Sequence, residues 1–116
     1  MSLQTAFSTI PTLFLMVTSC TSQNSVEFLG FDGCPNTPEL HSRLVEADSS
    51  IEIIDVNLMT LTDGDPRLGW GAPTILVNGE DLFGLPASEQ GSVSCRNWGD
   101  WLPSTTEIRT ALEARK

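Results

Sequence analysis

The chain has 116 residues, with six basic and 15 acidic side chains, and its formal net charge at pH 7 is −9. This length allows a single domain, and the strong negative charge with scattered cations argues against binding to the phosphate backbone of nucleic acids. The three cysteines are too few and too far apart for the disulfide framework of a small secreted protein, and they lack zinc-finger spacing.

The first 25 residues form an uncharged, apolar extension, because Glu27 is the first charged residue of the chain. The apolar run Ala6–Val17 is too short to cross a bilayer as a helix, and Pro11 interrupts it, so no transmembrane span is expected. The sequence therefore predicts an extension over 1–25 and one folded domain over 26–116.

The motif Val17-Thr18-Ser19-Cys20 resembles a bacterial lipobox, in which Cys20 would be lipidated after cleavage. The positive residues that begin a signal peptide are missing, since no basic residue precedes Arg43. The extension is thus interpreted as a lipoprotein-type signal or as a leader outside the fold, such as a cloning leader. The protein is expected in the cytoplasm, or at the cell envelope if Cys20 is a lipobox cysteine.

The first half of the domain predicts a β-α-β unit. Val26–Phe31 is rich in β-forming residues, and a helix is expected to begin at Cys34 and to end at Ala47, with Pro35 in its first turn. Ile51–Asn57 is a second strand, which we expect helices to cover on both faces. The helix between the two strands makes the crossover parallel and right-handed.

The next segment begins with a weaker helix signal at Asp65-Pro66. The stretch Pro73–Gly84 then predicts a strand, a two-residue turn at Asn78-Gly79 and a second strand, because Asn-Gly favours a type I′ hairpin. An irregular segment follows the hairpin and reaches as far as Pro103.

A last helix is expected after Ser104. Ser104 and Glu107 have the spacing of a capping box, and Ile108, Ala111 and Leu112 mark an apolar face. The order of elements is therefore β-α-β, a short helix or loop, then β-β-α.

This order resembles the thioredoxin-like superfamily, with Cys34 at the first strand-to-helix junction and Ala72-Pro73-Thr74 at the start of the third strand. The resemblance extends from Val26 to about Arg115, and the stretch GAPTILVNGEDLFG is especially similar to glutaredoxin. It implies an α/β fold with a four-stranded mixed sheet flanked by helices. It also implies a cis peptide bond before Pro73, facing the active cysteine.

A narrower resemblance is to small bacterial thioredoxin-like proteins related to the thioredoxin-like part of organomercurial lyases. These proteins carry G-C-P-N after the first strand and S-C-R late in the chain, here Gly33-Cys34-Pro35-Asn36 and Ser94-Cys95-Arg96. The resemblance implies the architecture more than the activity.

The chemistry is expected to centre on Cys34. A helix N-terminus would stabilise its thiolate, which makes it the candidate nucleophile of a thiol-disulfide exchange or thiol-transfer reaction. The motif has Thr37 where a C-x-x-C motif has its second cysteine, so a mixed disulfide at Cys34 needs another thiol. Cys95 is the candidate resolving thiol, and an external thiol such as glutathione is the alternative.

A substrate groove is expected around the same cysteine. The backbone of Ala72 would bind an incoming thiol or disulfide substrate, Pro73 would shape the groove, and Thr74, Asn36 and Thr37 complete the predicted substrate contacts. No cofactor is expected, except glutathione as a co-substrate.

Three alternatives remain open at this point. Cys34 and Cys95 with Asp32 would suit a soft metal such as mercury, copper or zinc. The two cysteines would otherwise form a permanent structural disulfide in a non-catalytic domain. Organomercurial lyase activity ranks last, because the lyases have a carboxylate three residues after the first cysteine, where this chain has Thr37.

Overall fold

The structure, a computed structural model, describes residues 24–89 and 91–116. The apolar run Ala6–Val17 and the lipobox cysteine Cys20 lie outside the described residues. Within the described part of the chain, no helix is both long and apolar enough to cross a membrane.

A four-stranded mixed sheet and two helices build the domain. The strands are β1 (Val26–Gly30), β2 (Ile53–Asn57), β3 (Thr74–Val77) and β4 (Glu80–Asp81), and the helices are α1 (Thr37–Ala47) and α2 (Thr105–Glu113). The strand order is β2-β1-β3-β4. β1 pairs with β2 in parallel, whereas the β1–β3 and β3–β4 pairs are antiparallel. The predicted α/β class with a four-stranded mixed sheet is confirmed.

The sheet has a different cover on each face. On one face, Leu40 and Leu44 of α1 and Ile108 of α2 pack with Phe28 of β1 and Ile75 of β3. On the other face, two short 3-10 turns, Leu58–Thr60 and Pro66–Gly69, close over a second apolar cluster. That second cluster consists of Leu29, Cys34, Leu58, Leu68, Ala72 and Leu76. Cys34 is therefore part of the core on the face opposite the helices.

The prediction that helices cover both faces of β2 is wrong. β2 lies at the edge of the sheet and pairs with β1 alone, and Ile54 remains 49% exposed. The buried residues of α1 pack mainly with β1 and β3, and Ile53 of β2 packs against the same cluster. An open groove lies between α1 and the rest of β2. His41 and Asp55 meet across this groove, with His41 Nε2 2.9 Å from Asp55 Oδ1.

The prediction that the first helix begins at Cys34 is also wrong, because α1 begins at Thr37. Cys34 precedes Pro35, and a residue before proline is biased away from helical backbone angles. The Thr37 N–H instead donates to the Cys34 carbonyl at 3.1 Å, which closes a turn ahead of the helix. Pro38 is the proline that lies in the first turn of α1. Cys34 thus lies before the helix N-terminus and not at it.

Two local predictions are confirmed in detail. Asn78 and Gly79 both have positive φ angles, of 54° and 86°, as a type I′ hairpin requires. The Ser104 hydroxyl accepts the Glu107 N–H at 3.0 Å, and the Glu107 carboxylate accepts the Ser104 N–H at 2.8 Å. The last helix therefore begins with a complete capping box.

The helix predicted at Asp65-Pro66 is the second 3-10 turn, and Asp65 caps it. Asp65 Oδ1 accepts the Arg67 N–H at 2.9 Å, and Asp65 Oδ2 accepts from Arg67 Nη2 at 2.8 Å. These hydrogen bonds lower the pKa of Asp65 from 3.8 to about 2. The Arg67 side chain makes the larger contribution and the Arg67 N–H the smaller one. The Asp65 carboxylate therefore stabilises the fold above about pH 4, and this contribution is lost as the pH falls through about 2.

We expect Asp65→Asn to remove this part of the acid sensitivity. Its free energy of unfolding should fall less than that of the unmodified chain between about pH 4 and about pH 2, because the variant has no carboxylate to protonate there. Urea unfolding at a series of pH values across that window measures the difference. Asp63→Asn, on an exposed carboxylate of the same loop, is the matched control and should follow the unmodified chain. Equal slopes for all three proteins would contradict the prediction.

Candidate functional site

A disulfide bond joins Cys34 to Cys95 across 61 positions of the sequence. Their Cα atoms lie 5.7 Å apart, within the usual range for disulfides. The bond connects the turn after β1 to the irregular segment before α2. The structure therefore brings together the two cysteines on which the predicted chemistry depends.

The two halves of the disulfide differ strongly in exposure. Cys34 is only 3% exposed and packs with Leu29, Leu68 and Ala72 in the second apolar cluster. Cys95 is an exposed residue at the surface. The disulfide is thus a link between the core and the solvent.

The backbone on either side of Cys95 is hydrogen-bonded to Ala72. The Ala72 N–H donates to the Ser94 carbonyl at 3.0 Å, and the Arg96 N–H donates to the Ala72 carbonyl at 2.8 Å. Gly71 permits this approach, because a Cβ on it would lie 3.0 Å from Ser94 O and from Arg96 N. The backbone groups of Ala72 that were expected to bind a substrate are bonded here to the chain's own segment.

The side chain of Arg96 anchors the segment around Cys95 to the hairpin. Its guanidinium forms an ion pair with Asp81 of β4, and the two side chains are 7% and 1% exposed. Arg96 Nη1 also donates to Thr74 Oγ1 at 3.3 Å, and the guanidinium lies 3.8 Å from the centroid of a Trp98 ring. The residue that follows Cys95 is therefore tied to the hairpin by a buried charge pair.

A surface depression of about 220 Å³ opens beside the disulfide. Its lining includes Cys34, Cys95, Asn36, Pro73 and Trp98. The Trp98 indole N–H donates to the Pro73 carbonyl at 3.0 Å, and the Ala72–Pro73 peptide bond is cis, as the resemblance implied. The depression is the open approach to the disulfide.

The other predicted site residues occupy different surroundings. Asn36 is exposed and forms the N-cap of α1 without a side-chain capping bond. Thr74 is fully buried, and its hydroxyl donates to the Gly71 carbonyl at 2.9 Å. Thr37 and Asp32 line the groove between α1 and β2, which has a volume of about 870 Å³. Within the described residues, the Thr37 hydroxyl is the buried side-chain group without a hydrogen-bond partner.

A metal site at Cys34, Cys95 and Asp32 would need free thiolates. The two sulfurs are bonded to each other in this structure, so neither is a thiolate. The described ranges 24–89 and 91–116 hold no group of three or more His, Cys, Asp or Glu side chains suited to a metal ion. Asp32 is an exposed residue of the turn before Cys34.

Two residues that secure the site, Asp81 and Trp98, were not among the predicted site residues. Asp81 reads in the sequence as an ordinary polar residue after the Asn-Gly turn, and its contact with Arg96 spans 15 positions. Asp81 could have been recognised as an acidic residue within a strand that packs against the core. A buried carboxylate in such a strand needs a buried cation as its partner.

The function of this site has to be inferred from its own geometry. Comparisons of the chain with protein-family models, with curated proteins and with solved structures find no match.

Proposed function

We propose that the protein is a thiol-disulfide exchange protein with a thioredoxin-like domain, in which Cys34 and Cys95 form the redox pair. The observation that carries the proposal is the position of the disulfide, which runs from the buried Cys34 to the exposed Cys95 at the edge of a surface depression. Exchange begins when a thiolate attacks a disulfide sulfur, so access controls which disulfides react. Exposed disulfides are typical of labile or catalytic pairs.

The arrangement of strands supports the thioredoxin-like part of the proposal. The sheet has four strands, with one parallel pair and two antiparallel pairs, which is the mixed sheet that the sequence resemblance implies. Cys34 follows β1 closely, and Pro73 immediately precedes β3. These two positions correspond to the two motifs that carry the resemblance.

The contacts of Cys95 support reversible exchange. The hydrogen bonds to Ala72 and the Arg96–Asp81 pair do not depend on the S–S bond, so they hold Cys95 close to Cys34 after reduction as well. A dithiol held in this way closes again readily, because the fold keeps the two sulfurs close and little entropy is lost when the bond forms. In the full reaction, two substrate thiols become one disulfide while the protein disulfide becomes two thiols, and the reverse reaction restores it.

The test is equilibration of the folded protein with mixtures of reduced and oxidised glutathione. We expect the Cys34–Cys95 bond to open and close reversibly, which the fluorescence of Trp98 beside the two cysteines reports and thiol labelling counts. Cys34→Ser and Cys95→Ser should each abolish formation of the protein disulfide, and the two changes combined should abolish the protein-catalysed exchange between glutathione and a disulfide substrate.

Cys20→Ser is the matched control for these variants, because it removes the third cysteine and leaves the pair intact. It should retain the exchange activity. A bond that stays closed in the folded protein under excess glutathione would contradict the proposal and would identify a permanent structural disulfide.

A further inference from the structure

We infer that Cys95, and not Cys34, is the sulfur that exchanges with external thiols, and that Cys34 is the internal sulfur that leaves and returns. This inference rests on the proposed function and assigns the roles of the two cysteines within it. The sequence predicts the opposite roles, with Cys34 as the nucleophile and Cys95 as the resolving thiol.

The two sulfurs differ in their access to solvent. Thiol-disulfide exchange requires the attacking sulfur to approach along the S–S axis, from the side opposite the leaving sulfur. Cys34 is 3% exposed and belongs to the same buried apolar cluster as Leu68 and Ala72, and it also lines the groove between α1 and β2. Both cysteines line the depression, but Cys95 is exposed whereas Cys34 is only 3% exposed, so an external thiolate has far more access to Cys95.

Cys34 lies ahead of α1 and not at its N-terminus. The expected role as nucleophile depends on Cys34 lying at a helix N-terminus, where backbone N–H groups stabilise a thiolate. α1 begins at Thr37, and the Thr37 N–H is already used by the Cys34 carbonyl. The local reason for assigning the attack to Cys34 is therefore absent.

Cys95 does not need to move during the reaction. Ser94 and Arg96, its two neighbours, are both hydrogen-bonded to Ala72, and Arg96 is held by Asp81. A mixed disulfide on Cys95 would thus remain beside Cys34. Cys34 can then attack the Cys95 sulfur without any rearrangement of the core.

A substrate thiolate attacks Cys95 Sγ, a bond forms between the two sulfurs, the Cys34–Cys95 bond breaks, and its electron pair remains on Cys34. A second substrate thiolate attacks the substrate sulfur of this mixed disulfide and releases Cys95 as a thiolate. The substrate is oxidised by two electrons and the protein is reduced by two. In reverse, Cys95 attacks a substrate disulfide and Cys34 closes the protein disulfide.

The test maps where glutathione attaches. The Cys20→Ser protein, with its disulfide intact, is mixed briefly with reduced glutathione, quenched with acid, unfolded, labelled at its free thiols and digested for mass spectrometry. We expect glutathione on Cys95 and the free-thiol label on Cys34. Glutathione on Cys34, or equally on both cysteines, overturns the inference while the proposed function stands. A disulfide that stays closed, with neither an adduct nor a labelled thiol, overturns both.

A second measurement uses the reduced Cys20→Ser protein and needs no change at either site cysteine. Alkylation by iodoacetamide in the folded state should modify Cys95 at least about tenfold faster than Cys34, because the reaction requires exposure of the thiol. In urea the two rates should become equal, which controls for intrinsic differences between the two peptides. Faster modification of Cys34 in the folded protein would contradict the assignment.

Discussion

Replacing Asp81 with asparagine should lower the free energy of unfolding by about 3–5 kcal/mol, the usual loss when one partner of a buried ion pair is removed. Asp81 is 1% exposed and pairs with Arg96, which is itself 7% exposed. In Asp81→Asn the Arg96 charge stays buried without a counter-charge. The second oxygen also matters, because Asp81 Oδ2 accepts the N–H groups of Phe83 and Leu85, both at 3.0 Å.

Urea unfolding of the oxidised protein measures this loss, so that the disulfide is the same in both chains. Glu113→Gln is the matched control, because it breaks an exposed pair with Lys116 and should change the stability by less than about 1 kcal/mol. A loss from Asp81→Asn as small as that of the control would show that the buried pair does not hold the Cys95 segment to the hairpin.

Reduction of the Cys34–Cys95 disulfide should lower the free energy of unfolding by about 4 kcal/mol, the loop-entropy value for cysteines 61 positions apart. The bond excludes many conformations of the unfolded chain, and that restriction disappears when it is reduced. For a domain of this size the loss corresponds to a fall in Tm of roughly 20 °C. Thermal unfolding followed by circular dichroism, with and without a phosphine reductant, measures it.

The control for this prediction is a variant that cannot form the bond, Cys34→Ala with Cys95→Ser. Its Tm should not change when the reductant is added, and it should lie close to that of the reduced protein. A Tm of the unmodified chain that is insensitive to reduction would contradict the prediction.

Local elements of the fold could be predicted because their causes lie within a few residues. Asn78 and Gly79 tolerate the positive φ angles of a type I′ turn, and Ser104 and Glu107 complete each other's hydrogen bonds three positions apart. The same holds for β1, whose apolar residues are continuous in the sequence.

The errors occurred where neighbouring patterns compete or where tertiary packing decides. The apolar residues of Ile51–Asn57 are compatible with a strand covered on both faces, but β2 pairs with β1 alone and lies at the edge of the sheet, which the strand pairing of the whole domain decides. At Cys34 two local effects opposed each other. Proline is favoured in the first turn of a helix, and Pro35 therefore suggested a helix that begins at Cys34. Proline also biases the residue before it away from helical backbone angles, and that residue is Cys34.

The candidate site was predicted in its composition but not in its geometry. Cys34, Cys95 and Ala72 could be named from short motifs, because each motif is local in the sequence. The parallel contact of Cys95 with Ala72 is a single isolated bridge. A contact of this kind has no periodicity that a sequence would show.

By itself, the sequence determined the α/β class, the hairpin and the capped last helix, because propensity, turn geometry and capping act over a few residues. Only the tertiary structure decided that Cys34 is buried while Cys95 is exposed, and that Asp81 holds Arg96 in the core. Burial and charge pairing depend on which segments meet in space. Segments 15 to 61 positions apart meet here through the packing of the whole domain.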